Sequence, residues 1–324
     1  MKNKFLRLFL VIIVLLTFTG CGKDKEKEKT KEPEVKINNN DAIIWEVKSD
    51  TATVYLVGSI HVARESTYPL QQVLLDAFAD SDALAVEANI VDGMKDEELM
   101  AEMALMMMYT DGKTARDYLS DETEKLLDEY IAKNGIGGMG KDSETAEYLY
   151  MFKPWVLQSL IENDLAIASG LISDLGIDMY FINEANKRNM EIIEVESLMF
   201  QYNMFESFSP ELQEYLLKSS LETDREEYKT NLLETLEAWE KGDVAKLEEL
   251  VFMQEEDLTA EEIKLVEQYN KALIVDRNIG MADKVEELLK GDKNVFYVVG
   301  SGHYVGDVGI IQLLTDRGYT VTKK

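Results

Sequence analysis

Two copies of one local pattern, an apolar β-type run that ends in Gly-x-x-His, lie near opposite ends of this chain of 324 residues. The first copy is VYLVGSIH at residues 54–61, and the second is FYVVGSGH at residues 296–303. The only two histidines of the chain, His61 and His303, belong to these copies. Glycine at a strand end permits a sharp turn or the close approach of a ligand. Two parallel neighbouring strands that both end in Gly-x-x-His would place the two imidazoles side by side. They would then lie at the carboxyl ends of the strands, where open α/β folds bind their ligands.

The first part of the folded body has the pattern of a hairpin followed by a crossover. The β-rich runs AIIWEVK and ATVYLVG are separated by three polar residues and predict an opening hairpin. A helix is expected directly after Pro69, which suits a first-turn position, and LQQVLLDAFADS has apolar residues at helical spacing. ALAVEAN then predicts a short buried strand with Glu87 at its carboxyl end. The strand–helix–strand order predicts a parallel pair joined by a crossover.

The rest of the body alternates long helical stretches with short strands. A large helical insertion is expected at about residues 92–174, and a second helical segment at about residues 210–289. MEIIEVE predicts a strand ending at Glu196, and NVFYVVG, GDVGIIQLLTDRG and YTVTK predict a strand, a helix and a final strand. The predicted fold class is therefore α/β, with a mixed β-sheet core, surrounding helices and a large helical insertion.

The first 40 residues have the composition of an export signal followed by a tether. Basic residues precede a continuous apolar core at residues 9–16, which predicts a signal peptide over residues 1–20. The segment TFTGC resembles a bacterial lipobox, so we expect cleavage before Cys21 and a lipid on its thiol. Residues 21–40 are highly charged and predict a flexible tether for a body that spans residues 41–324. The expected location is the extracytoplasmic face of the cell membrane, with the body anchored by its lipid.

Charge and cysteine content limit the partners and the stabilising bonds of this body. The chain has 62 acidic and 34 basic residues, a formal net charge of −28, and no basic patch with interleaved aromatic residues. Such a surface repels phosphate groups, so a nucleic-acid partner is not expected. Cys21 is the only cysteine, and the body must therefore be stable without an internal disulfide.

Longer segments extend the two Gly-x-x-His copies into a family resemblance. YLVGSIHVARESTYPL and SDALAVEAN are followed by KPW, by GIDMYFINEANKRNMEIIEVES, by DRN at residues 276–278 and by VVGSGHYVGDVGIIQLLTDRGYTV. In this order they resemble the TraB/GumN family, which includes the TIKI metalloproteases. The likeness covers essentially the whole body, from about residue 42 to residue 321. Two conservative departures occur: VES replaces the usual leucine–glutamate–threonine, and Asp276 stands where glutamate is common.

The resemblance implies a hydrolytic site that holds a divalent metal. Carried over by position, its ligands are His61, His303 and Glu87, and the motif glycines are Gly58 and Gly300. Imidazole and carboxylate suit manganese, cobalt and zinc alike, so the identity of the metal stays open. The role of Glu87 also stays open, because it would serve either as a ligand or as the general base that accepts a proton from water.

Four further residues are candidates around this site. The family's arginine–asparagine pair falls on Arg277 and Asn278, and the acid of its leucine–glutamate–threonine segment falls on Glu196. Arg277 would stabilise an oxyanion, hold a substrate carboxylate or form a structural ion pair. Glu196 and Asp178 are second-tier candidates, since each lies at a predicted element end, where a carboxylate also caps a helix or orients a histidine.

The sequence therefore predicts a membrane-tethered metal-dependent hydrolase, acting on peptides or proteins outside the cell. The alternative is a lipoprotein that binds or inhibits a pheromone-like peptide without cleaving it, as members of the family are associated with inhibition of peptide signalling. A serine nucleophile at Ser59 or Ser301 is disfavoured because no Ser-His-Asp order supports it. The methionine-rich run at residues 100–108 is expected to pack in a core or line a peptide groove rather than bind copper.

Overall fold

The structure is a computed structural model that describes residues 41–140, 143–252 and 258–324. The expected signal peptide, Cys21 and the tether lie outside the described residues. The strands are β1 (Ile44–Lys48), β2 (Thr53–Ser59), β3 (Ala83–Val86), β4 (Glu191–Glu194), β5 (Val295–Gly300) and β6 (Val321–Lys323). The helices up to the fourth strand are α1 (Gln72–Ala79), α2 (Ile90–Gly93), α3 (Glu97–Met107), α4 (Asp121–Asn134), α5 (Ser143–Leu149), α6 (Pro154–Ala168) and α7 (Ile177–Arg188). The later helices are α8 (Leu198–Glu206), α9 (Pro210–Glu222), α10 (Arg225–Glu240), α11 (Val244–Val251), α12 (Ala260–Asn270), α13 (Asp276–Leu289) and α14 (Ile310–Asp316).

The six described strands form one mixed sheet in the order β4-β3-β5-β2-β1-β6. The four strands β4, β3, β5 and β2 are parallel to one another, whereas β1 is antiparallel to both β2 and β6. The predicted hairpin of β1 and β2 is confirmed by this pairing. The predicted class, an α/β fold with a mixed sheet, is confirmed as well.

Three local predictions need correction. The strands β2 and β3 are parallel but do not pair with each other, because β5 lies between them. Every residue of β5 is buried, so its apolar sequence suits this central position. The first helix begins at Gln72 rather than directly after Pro69, since Gln71 has an extended backbone and its side chain donates to the carbonyl of Glu240. The strand β4 ends at Glu194, two residues before Glu196.

Most buried apolar side chains of the described residues belong to two large cores. One core surrounds the sheet and includes the aromatic cluster of Phe78, Phe181 and Phe296. The other lies among the helices between α3 and α12 and has Trp155 at its centre, stacked on Phe205. Such large buried cores account for a body that folds without disulfides.

The methionine-rich run forms α3 and packs into the helical core. Met103 and Met107 are buried there, and Met100, Met106 and Met108 contact the same core. Leu105 and Met108 also line a cavity of about 400 Å³, at the end of α8 that carries Glu206. This packing agrees with the structural role expected for the run. No helix of the described ranges is both long and apolar enough to span a lipid bilayer.

Candidate active site

Four adjacent parallel strands each present one functional side chain just beyond their carboxyl ends. Across the sheet these are Glu196 after β4, Glu87 after β3, His303 after β5 and His61 after β2. The ladder continues past the last strand residues, because Glu196 N donates to the carbonyl of Glu87 at 2.9 Å. The backbone pairing of the sheet therefore sets the spacing of these four residues. Their position agrees with the rule that open α/β folds bind ligands at the carboxyl ends of their strands.

Glu87 lies at the centre of this group, with both carboxylate oxygens engaged. Its Oε1 accepts the main-chain N–H of Gly300 at 2.6 Å, and its Oε2 accepts Arg277 Nη2 at 2.7 Å and Gln201 Nε2 at 3.2 Å. Burial by itself would raise the pKa of Glu87, but Arg277, the two imidazoles and the Gly300 N–H together hold it well below its usual range. Glu87 is therefore an ionised carboxylate at neutral pH.

His303 is fully buried and held in one tautomer by Asn278. Its Nδ1 lies 2.6 Å from Asn278 Oδ1, while Asn278 Nδ2 donates to the carbonyl of Val308 at 2.8 Å. That second bond fixes which end of the amide faces the ring, so Nδ1 must be the protonated nitrogen. Burial, aided by the positive charge of Arg277, lowers the pKa of His303 to about 3. The ring is thus neutral, and its buried Nε2 carries a lone pair that has no hydrogen-bond partner in the described part of the chain.

His61 is oriented by a carboxylate rather than by an amide. Its Nδ1 lies 3.0 Å from Asp178 Oδ1, and Asp178 is in the first turn of α7. The turn is anchored to the first motif, because Ile177 N donates to the carbonyl of Ile60. Burial lowers the pKa of His61, but the charge and hydrogen bond of Asp178, with the charge of Glu87, raise it overall to about 9.

Arg277 is buried behind Glu87 and joins the two glutamates. Its side chain is 2% exposed, and Nη2 contacts Glu87 at 2.7 Å and Glu196 at 2.8 Å. Nε donates to Glu196 at 2.9 Å, and Gln201 Nε2 bridges the same two acids. A five-residue π-helical segment directly precedes α13, where Arg277 lies in the first turn, and such segments are frequent at functional sites. These donors are engaged by Glu87 and Glu196, so Arg277 holds the two carboxylates in place.

The two motif glycines have different roles. A Cβ at Gly58 would meet Ile43 Cγ2 at 2.4 Å and the side chain of Ser301 at 2.7 Å, so this glycine allows close packing of the two loops. A Cβ at Gly300 would instead lie 3.3 Å from Glu87 Oε1 and 3.4 Å from His61 Nε2. Gly300 therefore keeps open the space between the carboxylate and the imidazoles.

Three donor atoms, Nε2 of His61, Nε2 of His303 and Oε1 of Glu87, are of the types that bind a divalent cation, but they stand slightly too far apart to coordinate one ion. His61 Nε2 lies 4.0 Å and His303 Nε2 lies 3.8 Å from Glu87 Oε1. Ligand atoms on one tetrahedral ion stand about 3.3 Å apart, so a small contraction would be required. Among the described residues, no three or more His, Cys, Asp and Glu side chains make up a ready metal-binding group. The feature that fits a metal is the orphaned lone pair of His303, because imidazole nitrogen is a common metal ligand.

Asn278, Asp178 and Gln201 act through other residues. Asn278 orients His303, and Asp178 orients His61; hydrogen bonds of this kind are typical around metal-ligating histidines. No local sequence pattern predicts the contact of Gln201 with Glu87 and Glu196. Ser301 Oγ donates to the carbonyl of Ser59 and so ties the two motif loops together.

The architecture and the site define an α/β protein with a buried histidine–carboxylate–arginine centre at the carboxyl edge of a mixed sheet. The chain belongs to the TraB/PrgY/gumN family, whose sequence model matches residues 43–323. The family resemblance drawn from the motifs is thereby confirmed. No solved structure matches the chain.

Three relatives show how far this similarity extends. An uncharacterized protein of Treponema pallidum (strain Nichols) is 21% identical over 284 residues, which cover 87% of this chain and 82% of the relative. Metalloprotease TIKI2 of Xenopus tropicalis is 25% identical over 324 residues, and Metalloprotease TIKI1 of Danio rerio is 23% identical over 320 residues. Both matches cover 87% of this chain but only 59% and 63% of the relatives. The chain thus spans about three fifths of the TIKI proteins.

Proposed function

We propose that this protein is a metal-dependent hydrolase of peptide bonds, with His61, His303 and Glu87 as the residues that hold a divalent cation. The observation that carries this proposal is the buried Nε2 of His303, which has no hydrogen-bond partner among the residues that the structure describes and faces Glu87 Oε1 together with Nε2 of His61. Leaving a buried polar atom unpaired costs about 1–3 kcal/mol. A bound cation at this point would remove that cost. The similarity to proteins named metalloproteases supports the same reaction class.

The residues of the site prepare it for this chemistry in distinct ways. When bound, a divalent ion polarises a scissile carbonyl and acidifies a water molecule. Asn278 and Asp178 hold the rings of His303 and His61 so that both Nε2 atoms face the same point. Arg277 keeps Glu87 ionised. A carboxylate with so low a pKa is a weak base, so we assign Glu87 as a ligand rather than as the general base.

The proposal includes a location outside the cytoplasm. It rests on the first 40 residues, where a signal-like apolar core is followed by Cys21 and a charged tether. The substrate would then be a peptide or protein at the cell surface. Exposed apolar side chains suit such a substrate: Ile172, Phe200 and Phe252 each stand next in sequence to a residue that lines the cavities around His61.

The test combines metal binding with turnover by the full chain in detergent. After dialysis against Mn²⁺, Co²⁺ or Zn²⁺, we expect one metal ion per chain in the wild type and none in His61→Ala or His303→Ala. Peptide libraries analysed by mass spectrometry should show cleavage by the wild type and a loss of at least 100-fold in Glu87→Gln. Glu194→Gln is the matched control, because Glu194 ends β4 at the same sheet edge and accepts a hydrogen bond from Asn89 N instead of joining the site.

The second candidate is a peptide-binding protein without turnover. It is favoured by the ion pair of Glu87 with Arg277, which balances the buried carboxylate without any cation. This candidate predicts negligible metal in the wild type and in every variant, and peptide binding that Glu87→Gln leaves unchanged. Stoichiometric metal that both histidine variants lose would exclude it.

A further inference from the structure

An apolar cavity adjoins His61 and is distinct from the cavity that contains Glu87, although both include Ser59 and His61 in their walls. The cavity of Glu87 is also lined by Asp178 and Gln201, whereas the apolar one is otherwise lined by side chains of α10 and α11 and by the two motif loops. We propose that the apolar cavity receives a small apolar side chain of the peptide substrate, next to the bond that is cleaved. This inference rests on the proposed function and adds to it a preference for small apolar residues.

The wall of this cavity is formed by one face of each helix. Leu232, Thr235 and Trp239 lie on one face of α10, and Leu247 and Val251 lie on one face of α11. The opposite side consists of residues 59–61 and 300–302 of the motif loops. His61 and Gly300 thus belong both to the cavity and to the group of donor atoms around Glu87. A side chain in the cavity would leave its own backbone beside His61.

A hydrogen bond connects the cavity wall with the first Gly-x-x-His motif. Trp239 Nε1 donates to the carbonyl of Gly58 at 2.7 Å, which connects α10 with the turn before His61. Trp239 is 1% exposed, so its ring is a fixed part of the wall. Ser59 Oγ, on the opposite side, is buried without a hydrogen-bond partner among the described residues. It is available to an amide group of a bound peptide, whose main chain has both donors and acceptors.

The composition and the size of the cavity decide which side chain fits. Apart from His61, the described residues that line it include no ionisable side chain, although the protein has a net charge of −28. Its volume is about 40 Å³, whereas a cavity that binds benzene in another protein has about 150 Å³. An aromatic ring is therefore excluded, and side chains the size of alanine, serine or valine are expected.

The first experiment compares cleavage profiles of the full chain loaded with Mn²⁺, Co²⁺ or Zn²⁺. The wild type should cleave quenched peptides with alanine, serine or valine beside the scissile bond in preference to phenylalanine. Leu232→Ala enlarges the cavity and should raise kcat/KM for phenylalanine relative to alanine by about tenfold or more. Leu236→Ala is the matched control, because Leu236 lies one turn further along α10, is equally buried and does not line the cavity. Cleavage with the same profile in wild type and Leu232→Ala would overturn the inference.

A second measurement needs neither metal nor turnover. The chain has three tryptophans, so the indole N–H region of a ¹⁵N spectrum is simple, and Trp239→Phe assigns the signal of Trp239. N-acetyl-alaninamide and N-acetyl-valinamide should shift this signal in the wild type, whereas N-acetyl-phenylalaninamide should shift it only in Leu232→Ala.

The two measurements separate the inference from the proposed function. Absence of cleavage by every protein counts against the hydrolase, while the indole shifts still decide the role of the cavity. An indole signal that none of the three amides moves, in the wild type or in Leu232→Ala, would show that the cavity takes no side chain. Leu232→Ala and Leu236→Ala each remove a buried side chain and lower the unfolding temperature. Both are therefore compared below their measured unfolding temperatures.

Discussion

The amide oxygen of Asn278 lies 2.6 Å from Nδ1 of His303, and the amide nitrogen of the same residue donates to the carbonyl of Val308. This pair of bonds makes Asn278 the residue that decides which nitrogen of the buried imidazole carries the proton. The free nitrogen is then Nε2, which faces Glu87 Oε1. The two adjacent residues therefore contact different groups of the site: Arg277 holds the carboxylate of Glu87, and Asn278 holds the imidazole of His303.

Replacement of Asn278 by alanine is expected to weaken metal binding about 10- to 100-fold, because the ring of His303 loses the group that fixes its tautomer. The measurement is metal affinity by competition with a chelator. Asn294→Ala is the matched control: Asn294 precedes β5 at its opposite end and hydrogen-bonds to Thr53 and Asp80. It should lower stability without a change in affinity. Equal affinities of wild type and Asn278→Ala would show that His303 is not a ligand.

The two motif glycines should respond differently to the same substitution. At Gly300 the added methyl group points between Glu87 Oε1 and His61 Nε2, and the backbone has φ −52°, which alanine adopts readily. Gly300→Ala should therefore keep its stability within about 1 kcal/mol of the wild type, while its metal affinity falls at least tenfold. Urea unfolding and chelator competition measure the two quantities.

Gly58→Ala should show the reverse effect. Its methyl group would overlap with Ile43 and the side chain of Ser301, and overpacking of this kind costs about 1–3 kcal/mol. The remaining folded protein should still bind metal. A Gly300→Ala protein that binds metal as tightly as the wild type would place the cation elsewhere.

The repeated motif was sufficient to predict the centre of the site because strand ends are determined locally. An apolar run followed by glycine indicates a strand and its exit, and the parallel pairing of β2 and β5 then brings the two exits together. Glu87 could be predicted for the same reason, since it directly follows β3. The family confirmed by the comparison rests on these segments in their order.

The remaining features depend on contacts between distant parts of the chain. The insertion of β5 between β2 and β3 involves segments more than 200 residues apart, and no local pattern indicates it. The burial of Arg277 between Glu87 and Glu196 has the same origin. From the sequence alone, Arg277 is equally compatible with an oxyanion role, with a contact to a substrate carboxylate and with an ion pair. The cavity beside Trp239 likewise arises only when α10 and α11 pack on the motif loops.

The stability of the metal-free protein should fall as the pH rises from about 6.5 to 9. The pKa of His61 is raised from 6.5 to about 9 in the folded state, so the folded protein holds a proton that the unfolded chain releases earlier. This contribution is fully present below pH 6.5, and is lost as the pH passes through 9. A shift of this size corresponds to about 3 kcal/mol. Urea unfolding with a chelator present measures it, and His61→Gln should remove the decline. A wild-type profile that matches that of His61→Gln across this range would contradict the prediction.

A second pH effect should come from Glu162 in the helical layer. Burial raises the pKa of Glu162 from 4.5 to about 7, although Gln158 and Ser220 donate hydrogen bonds to its carboxyl group. The pKa of Glu162 is higher in the folded protein than in the unfolded chain, so ionisation of Glu162 destabilises the folded state. The protein therefore has its full stability below pH 4.5 and loses part of it as the pH rises through 7. Glu162→Gln stays neutral, so its stability relative to the wild type should increase by up to about 3 kcal/mol between pH 4.5 and 8. Urea midpoints at both pH values test this, with exposed Glu211→Gln on α9 as the control for loss of a surface charge. A difference between wild type and Glu162→Gln that is the same at both pH values would show that folding does not shift the pKa of Glu162.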